Sequence, residues 1–219
     1  MSTRTATLIA QSNERGLQLA NTLPADLLAV FDRNADALAA TDFTHRAVAV
    51  GQAAPPFSLP SATGSVVSLD TLLAEGPIVL TFYRGAWCPF CDLQLRAYQA
   101  ILPAILARGA RLVAVSPQTP DNSLTTAEKR HLTFTVLSDL GNVVADRYGL
   151  TFTVDVAVRD AQAALGLDLE AYNGDASYRM PVTATYVIGR DGMIAFACVS
   201  GDYRERAEPS DILAALDKL

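Results

Sequence analysis

Between Pro77 and Tyr83 the chain reads Pro-Ile-Val-Leu-Thr-Phe-Tyr, apolar at nearly every position, without alternation and rich in β-branched and aromatic side chains. That is the pattern of a strand buried on both faces, and it predicts a central position in a sheet. Leu112-Val113-Ala114-Val115-Ser116 is a second run of the same kind. Between the two, Leu93, Leu95, Tyr98, Ile101, Leu102 and Ile105 fall on one face of a helix predicted from Cys88 to about Arg108, with Pro103 predicting a kink or break. Strand, helix, strand at this spacing is a right-handed crossover unit of a parallel sheet. Further along, a helix is predicted over Asp121 to His131, a short strand over Phe134 to Asp139 and a helix over Gly141 to Tyr148. Thr151 to Met180 is poorly patterned, with a helix near Ala157 to Leu165 and a turn at Asn173-Gly174-Asp175. Thr185–Ile188 and Ile194–Val199 flank Arg190-Asp191-Gly192, a strong hairpin signal, and Ser210 to Leu219 closes the chain as an amphipathic helix.

The N-terminal part differs. Thr5 to about Thr41 carries Leu8, Leu17 and Leu19, then a break at Asn21-Thr22-Leu23-Pro24, then Leu27, Leu28, Phe31 and Leu38 at spacings near three and four. Pro24 suits the first turn of the second helix. This predicts a helical appendage over residues 1–46, packed on the main domain or on a second subunit, with plain coverage of core surface the favoured role. Pro55-Pro56 then breaks the chain, Phe57–Pro60 and Gly64–Leu69 predict a short hairpin at a sheet edge, and residues 47–219 form the principal domain.

Composition narrows the function. The 219 residues are 50% hydrophobic and 18% charged, too apolar for disorder, and no apolar run approaches the roughly 18 residues needed to cross a bilayer. Met1 to Ala10 has Arg4 but neither a long apolar core nor a clear cleavage site, so cytoplasm is the expected location and no membrane is expected as partner. A net charge of −6 without a cluster of Lys and Arg argues against nucleic acid. Three cysteines make no disulfide framework, and in a reducing compartment a close pair reads as redox-active or metal-binding.

That pair is Cys88 and Cys91, in Trp87-Cys88-Pro89-Phe90-Cys91. Cys88 falls where the helix begins, and the unpaired N–H groups and positive dipole end there favour a thiolate. Cys91 follows one turn along, close enough to join it in a disulfide, and Pro89 stiffens the first turn. The pattern is that of a two-electron switch, provided solvent can reach the pair. Zinc would need two further ligands, and Cys198, His45 and His131 form no second spaced pair, so no metal and no cofactor is expected. Buried, inert cysteines are the remaining alternative. Cys198 reads as packing in its strand and both histidines as structural. Arg84 beside the motif is suited to lowering a thiol pKa and orienting a peroxide oxygen, or is a solvated or ion-paired arginine. Trp87 is expected in the pocket wall.

At Phe82-Tyr83-Arg84-Gly85-Ala86-Trp87-Cys88-Pro89-Phe90-Cys91 the chain resembles the alkyl hydroperoxide reductase and thiol-specific antioxidant (AhpC/TSA) superfamily, and within it the peroxiredoxin-like group with a thioredoxin-style C-x-x-C. The resemblance continues through Leu112–Thr119, Leu137-Ser138-Asp139 and Ala184–Ile188. It implies an α/β, thioredoxin-like fold, a central mixed sheet flanked by helices, with the N-terminal appendage typical of the subgroup. On the peroxiredoxin pattern Cys91 takes the peroxidatic position, while Arg84 stands where the family has proline and Cys88 where it has Thr or Ser. The family's activating arginine falls at Thr183, which also takes the place of the thioredoxin cis-proline facing the pair. The nearest proline is Pro181, and a cis Met180–Pro181 bond is an open alternative. Thioredoxins use the first cysteine as nucleophile, so placement at the helix start points to Cys88 and the peroxiredoxin match to Cys91.

The leading expectation is thus a thiol-dependent antioxidant peroxidase, reducing hydrogen peroxide or organic hydroperoxides through Cys88 and Cys91 and recycled by a thioredoxin- or glutaredoxin-like dithiol donor. The loss of the family's Pro, Thr and Arg keeps a protein thiol-disulfide oxidoreductase as the alternative, and a non-enzymatic redox sensor as a third reading. The family resemblance also implies a homodimer.

Overall fold

The computed structural model describes residues 6–219. Thr7 caps the first helix, α1 (Leu8–Thr22), by accepting the Ala10 N–H at 3.2 Å. The carboxylate of Glu208 accepts the N–H groups of Leu8 at 3.1 Å and Ile9 at 2.7 Å, so an anion from the far end of the chain sits at the positive end of α1. Pro24 is the N-cap of α2 (Ala25–Ala39) rather than a residue of its first turn. A short α3 (Phe43–Arg46) leads to the expected hairpin, β1 (Ser58–Pro60) with antiparallel β2 (Val66–Ser68), which forms its own two-stranded sheet. Ser68 and Thr71 build a reciprocal capping box that starts α4 (Leu69–Glu75), a helix the hydrophobic pattern does not announce.

Strand β3 (Ile78–Phe82) has all five residues buried and is followed by α5 (Pro89–Ala107), β4 (Arg111–Ser116), α6 (Pro120–Lys129) and β5 (Thr135–Ser138). Helix α5 runs unbroken through Pro103, against the expected kink or break. Pro103 lies on the exposed face, where the carbonyl it leaves without a donor can meet water, while Leu102 and Ile105 beside it are buried and hold the helix to the sheet. A 3₁₀ turn at Leu140–Asn142 and α7 (Val143–Arg147) replace the single helix expected there. The poorly patterned region resolves into β6 (Thr151–Thr153), α8 (Val156–Ala164), α9 (Leu169–Asn173) and β7 (Arg179–Pro181), with β6 and β7 paired antiparallel. The hairpin β8 (Thr183–Ile188) and β9 (Ile194–Ser200), then α10 (Pro209–Leu216), complete the chain. The Met180–Pro181 bond is trans.

The main sheet is ordered β5-β4-β3-β8-β9, with β3, β4 and β5 parallel and β8 and β9 antiparallel additions. This is the mixed sheet with β3 at its centre that the sequence predicts. Alternation along β3 sends Ile78, Leu80 and Phe82 into one core and Val79 into a second, where it meets Tyr98, Leu102 and Ile105 of α5 and Ile212 of α10. Leu8 of α1 is packed into that second core. At Gly201 an added Cβ would stand 2.1 Å from the Leu38 carbonyl oxygen, so only glycine lets the chain after β9 come this close to the end of α2. No described helix is long and apolar enough to cross a membrane.

Leu8 is 1% exposed, and cutting it to alanine should cost about 2–5 kcal/mol of packing. Because Leu8 and Ser12 are the buried residues of α1, Leu8→Ala should speed amide hydrogen exchange over residues 8–22 before it lowers the global melting temperature. Equal acceleration across β3 and β4 would show that α1 is integral to the core.

Candidate active site

The end of β3 sets the site. Tyr83 still holds the sheet through its N–H to the Val115 carbonyl at 3.0 Å, after which the chain leaves as Arg84-Gly85-Ala86-Trp87. Gly85 has φ +149°, and a Cβ there would lie 2.4 Å from Trp87 Nε1, so glycine is what lets the indole fold back over the loop. The buried Gln118 side chain accepts the Ala86 N–H at 2.7 Å and fixes the loop from β4's side. Cys88 is the N-cap of α5, Pro89 its first helical residue, and Cys91 lies in its first turn. The two cysteines therefore stand at a helix start behind the central strand, as their spacing predicts.

Their surroundings favour the anion at Cys91 over Cys88, the reverse of what helix-start placement alone favours. Both sulfurs are buried, Cys88 to 2% and Cys91 to 0% exposure. Burial works against a thiolate at Cys91, but the neighbouring Cys88 thiol, the Arg206 guanidinium beside it and the backbone and guanidinium of Arg84 offset it, together bringing the Cys91 pKa down to about 5. The neighbouring Cys91 sulfur, together with burial, pushes Cys88 well above the ordinary thiol value. Arg206 Nη2 stands 3.6 Å from Cys91 Sγ.

Sequence reading missed Arg206. It comes from the loop between β9 and α10, far along the chain from Cys91, in a charged stretch that reads as a solvated loop. It is only 6% exposed, and Nη1 donates to Thr183 Oγ1 at 3.1 Å and to the Glu205 carbonyl at 2.6 Å. Thr183, buried at the start of β8, therefore reaches the pair through the arginine it holds. The nearest sequence signal was the missing arginine at position 183, which left a cation to be supplied from elsewhere.

Arg84 is neither solvated nor ion-paired. It is 6% exposed, with Cζ 5.1 Å from the Trp87 ring and 4.8 Å from the Tyr203 ring, a cation held between two aromatic faces. Above it lies a cavity of about 640 Å³ whose floor includes Arg84, Trp87, Cys88 and Tyr203. Leu19, Leu23, Leu28 and Phe31, from α1, α2 and the turn between them, form its roof. Cys88 reaches this cavity, and Cys91 does not line it. Cys198 lies apart in β9, raised in pKa chiefly by burial, and exposed His45 pairs with Asp42 at 3.2 Å. Among the described residues no three His, Cys, Asp or Glu side chains gather as a metal site would require.

Known proteins resemble this chain in sequence and in fold. "Peroxiredoxin Q, chloroplastic" of Populus jackii is 33% identical over 100 residues, 46% of each chain. "Peroxiredoxin Bcp" of Escherichia coli (strain K12) is 31% identical over 100 residues, 46% of this chain and 64% of that one. The alignments thus span about half to two-thirds of these relatives' lengths. Among solved structures, peroxidoxin BcpB from Mycobacterium tuberculosis superposes with a TM-score of 0.61 over 78% of this chain and 97% of its own, at 24% identity, which establishes a shared thioredoxin-like fold. The sequence profile of the AhpC/TSA family matches residues 50–197, well over half of the chain and the whole span from the β1–β2 hairpin to β9, and the chain belongs to that family.

Proposed function

We propose that the protein is a thiol peroxidase in which Cys91 is the attacking sulfur and Cys88 the resolving one. The observation that carries the reading is the buried Arg206 guanidinium, whose Nη2 stands 3.6 Å from Cys91 Sγ and favours the anion at that sulfur. The thiolate attacks one oxygen of a hydroperoxide, the O–O bond breaks, and the departing oxygen leaves as water or alcohol after taking up a proton. Cys91 is left as a sulfenic acid. Cys88, one turn away at the N-cap, then attacks the Cys91 sulfur and expels water, closing the disulfide. Arg206 and the backbone N–H of Arg84 favour the anion before attack, and the same groups are placed to steady negative charge on the departing oxygen. Thr183 holds Arg206, Pro89 fixes the first turn, and Trp87 with Arg84 walls the approach to Cys88.

Hydrogen peroxide and organic hydroperoxides are the substrates in view, and family membership points to a thioredoxin- or glutaredoxin-like donor for the return electrons. A cycle of this kind draws on a reducing thiol pool, the condition of the cytoplasm.

Cys91→Ser should abolish peroxide consumption by the reduced protein. Cys88→Ser should still consume about one equivalent and stop at a sulfenic acid that a dimedone probe captures in the mass spectrum. Full single-turnover consumption by Cys91→Ser would transfer the attacking role to Cys88.

The peroxide rate constant should rise as pH passes up through about 5 and level off by neutrality, because the reactive species is the deprotonated Cys91. Arg206→Leu should move that inflection to higher pH and cut the neutral-pH rate by about tenfold or more, with Arg206→Lys restoring part of it. Stopped-flow Trp87 fluorescence reads both effects, and an unmoved inflection in Arg206→Leu would remove the arginine from the activation.

A further inference from the structure

The peroxide step draws on the field of the Arg84 guanidinium but leaves that side chain without a hydrogen-bonded or ion-paired partner of its own among the described residues. Arg84 lines the cavity, its Nε has no hydrogen-bond partner, and no carboxylate of the described residues lies within ion-pair distance of it. The other arginine of the cavity, Arg204, is already matched, with Asp202 at 2.8 Å and Asp32 at 3.6 Å. A guanidinium withdrawn from water, oriented by two rings and without a carboxylate partner marks a place for an anionic group on its cavity side. The rest of the cavity is largely apolar side chain, its volume suits a small organic ligand, and the sulfur it reaches is Cys88.

That last point decides the ligand's chemistry. A hydroperoxide must meet Cys91, which the cavity does not touch. In the disulfide, Cys88 is the half that a thiol entering the cavity would strike. We propose that the cavity between α1, α2 and the Cys88 loop binds a low-molecular-weight thiol carrying a carboxylate, with the carboxylate on Arg84 and the thiol directed at Cys88.

The thiolate RS⁻ attacks Cys88 Sγ, the Cys88–Cys91 bond breaks, and Cys91 departs with the electron pair as the thiolate that Arg206 holds. A second RS⁻ attacks the sulfur of R in the Cys88–S–S–R intermediate, releasing RSSR and Cys88. Of the two protons given up by two RSH, one returns to the Cys88 thiol and one goes to solvent. The better leaving group is the sulfur of lower pKa, so attack at Cys88 is the favoured direction of exchange. The route needs no displacement of α1 and α2, since a small thiol fits beneath them.

This inference rests on the peroxidase reading only for the origin of the disulfide. The test therefore starts from full-length protein oxidised with diamide, so that failure of the peroxide step cannot imitate failure of the site. Reduction is followed by Trp87 fluorescence, and the Cys88 adduct by mass spectrometry, with glutathione, 3-mercaptopropionate and cysteamine as probes compared per thiolate. The two carboxylated thiols should react with saturation and about tenfold or more faster than cysteamine, as expected for one charge-assisted contact. Arg84→Met should erase that preference, and Leu23→Trp, which fills the cavity from its roof, should slow all three. Cysteamine matching the carboxylated thiols in the wild type, or an Arg84→Met protein that keeps their advantage, would overturn the proposal.

Discussion

Arg206 and Cys91 are each withdrawn from water, and neither charge would be tolerable there alone. The low dielectric that makes an isolated ion costly also strengthens the attraction between two of them, so the guanidinium at 3.6 Å favours the thiolate form of Cys91. Everything near the pair can be read as maintaining that contact. Thr183 and the Glu205 carbonyl occupy Nη1 and aim the guanidinium so that Nη2 faces the sulfur. Cys88 lies one turn away, and its own pKa is raised by the neighbouring Cys91 sulfur and by burial.

The loop bearing Arg206 would be a poor platform without support from the core. Gln94 and Tyr98 lie three and seven residues beyond Cys91 on α5, on the same face of the helix. The Tyr98 hydroxyl donates to the Ala207 carbonyl at 3.0 Å, next to Arg206, and Gln94 donates to Thr81 of β3 at 2.9 Å. Thr81 and Thr185 join β3 to β8 through their hydroxyls at 3.0 Å. One buried polar network thus spans α5, β3, β8 and the β9–α10 loop, fixing helix and arginine to a common frame. Such networks are costly when incomplete, and Gln94 Oε1 is without a partner, a price in stability for the positional control the rest provides.

How much of this was legible depends on how local the cause is. The β3 run, the β8–β9 hairpin and the helix after Cys88 announce themselves because each follows from periodicity or turn chemistry within a few residues. The C-x-x-C pair at a helix start was readable for the same reason. Charge assignment was not, because it is set by Arg206, which sequence separates widely from Cys91 and three-dimensional packing brings into contact. Arg84 was ambiguous since two of its three determinants, Tyr203 and the roof helices, lie at opposite ends of the chain. Helix α4 escaped notice because its start depends on side-chain capping by Ser68 and Thr71, and β6 and β7 because three-residue strands carry too little pattern. Pro103 misled because its ring sits on the solvent face of α5, where one missing hydrogen bond is outweighed by the buried side chains on the other face.

The N-terminal helices complete the electrostatic argument. Without α1 and α2 the mouth above Cys88 and Arg84 would open to solvent, and water would screen the field on which the thiolate depends. Covering the site preserves that field but restricts what can reach it, and the two cysteines divide the consequences. Cys91 is buried beside its arginine one turn behind Cys88, where a hydroperoxide entering past Cys88 must meet it and a stable anion is needed; Cys88 borders the cavity, where exchange with an incoming sulfur can occur. In a disulfide between them the accessible sulfur is the one open to attack and the sulfur behind it is the better leaving group. The asymmetry between an N-cap and a first-turn residue, three positions apart, is therefore enough to give thiol exchange at this site a direction.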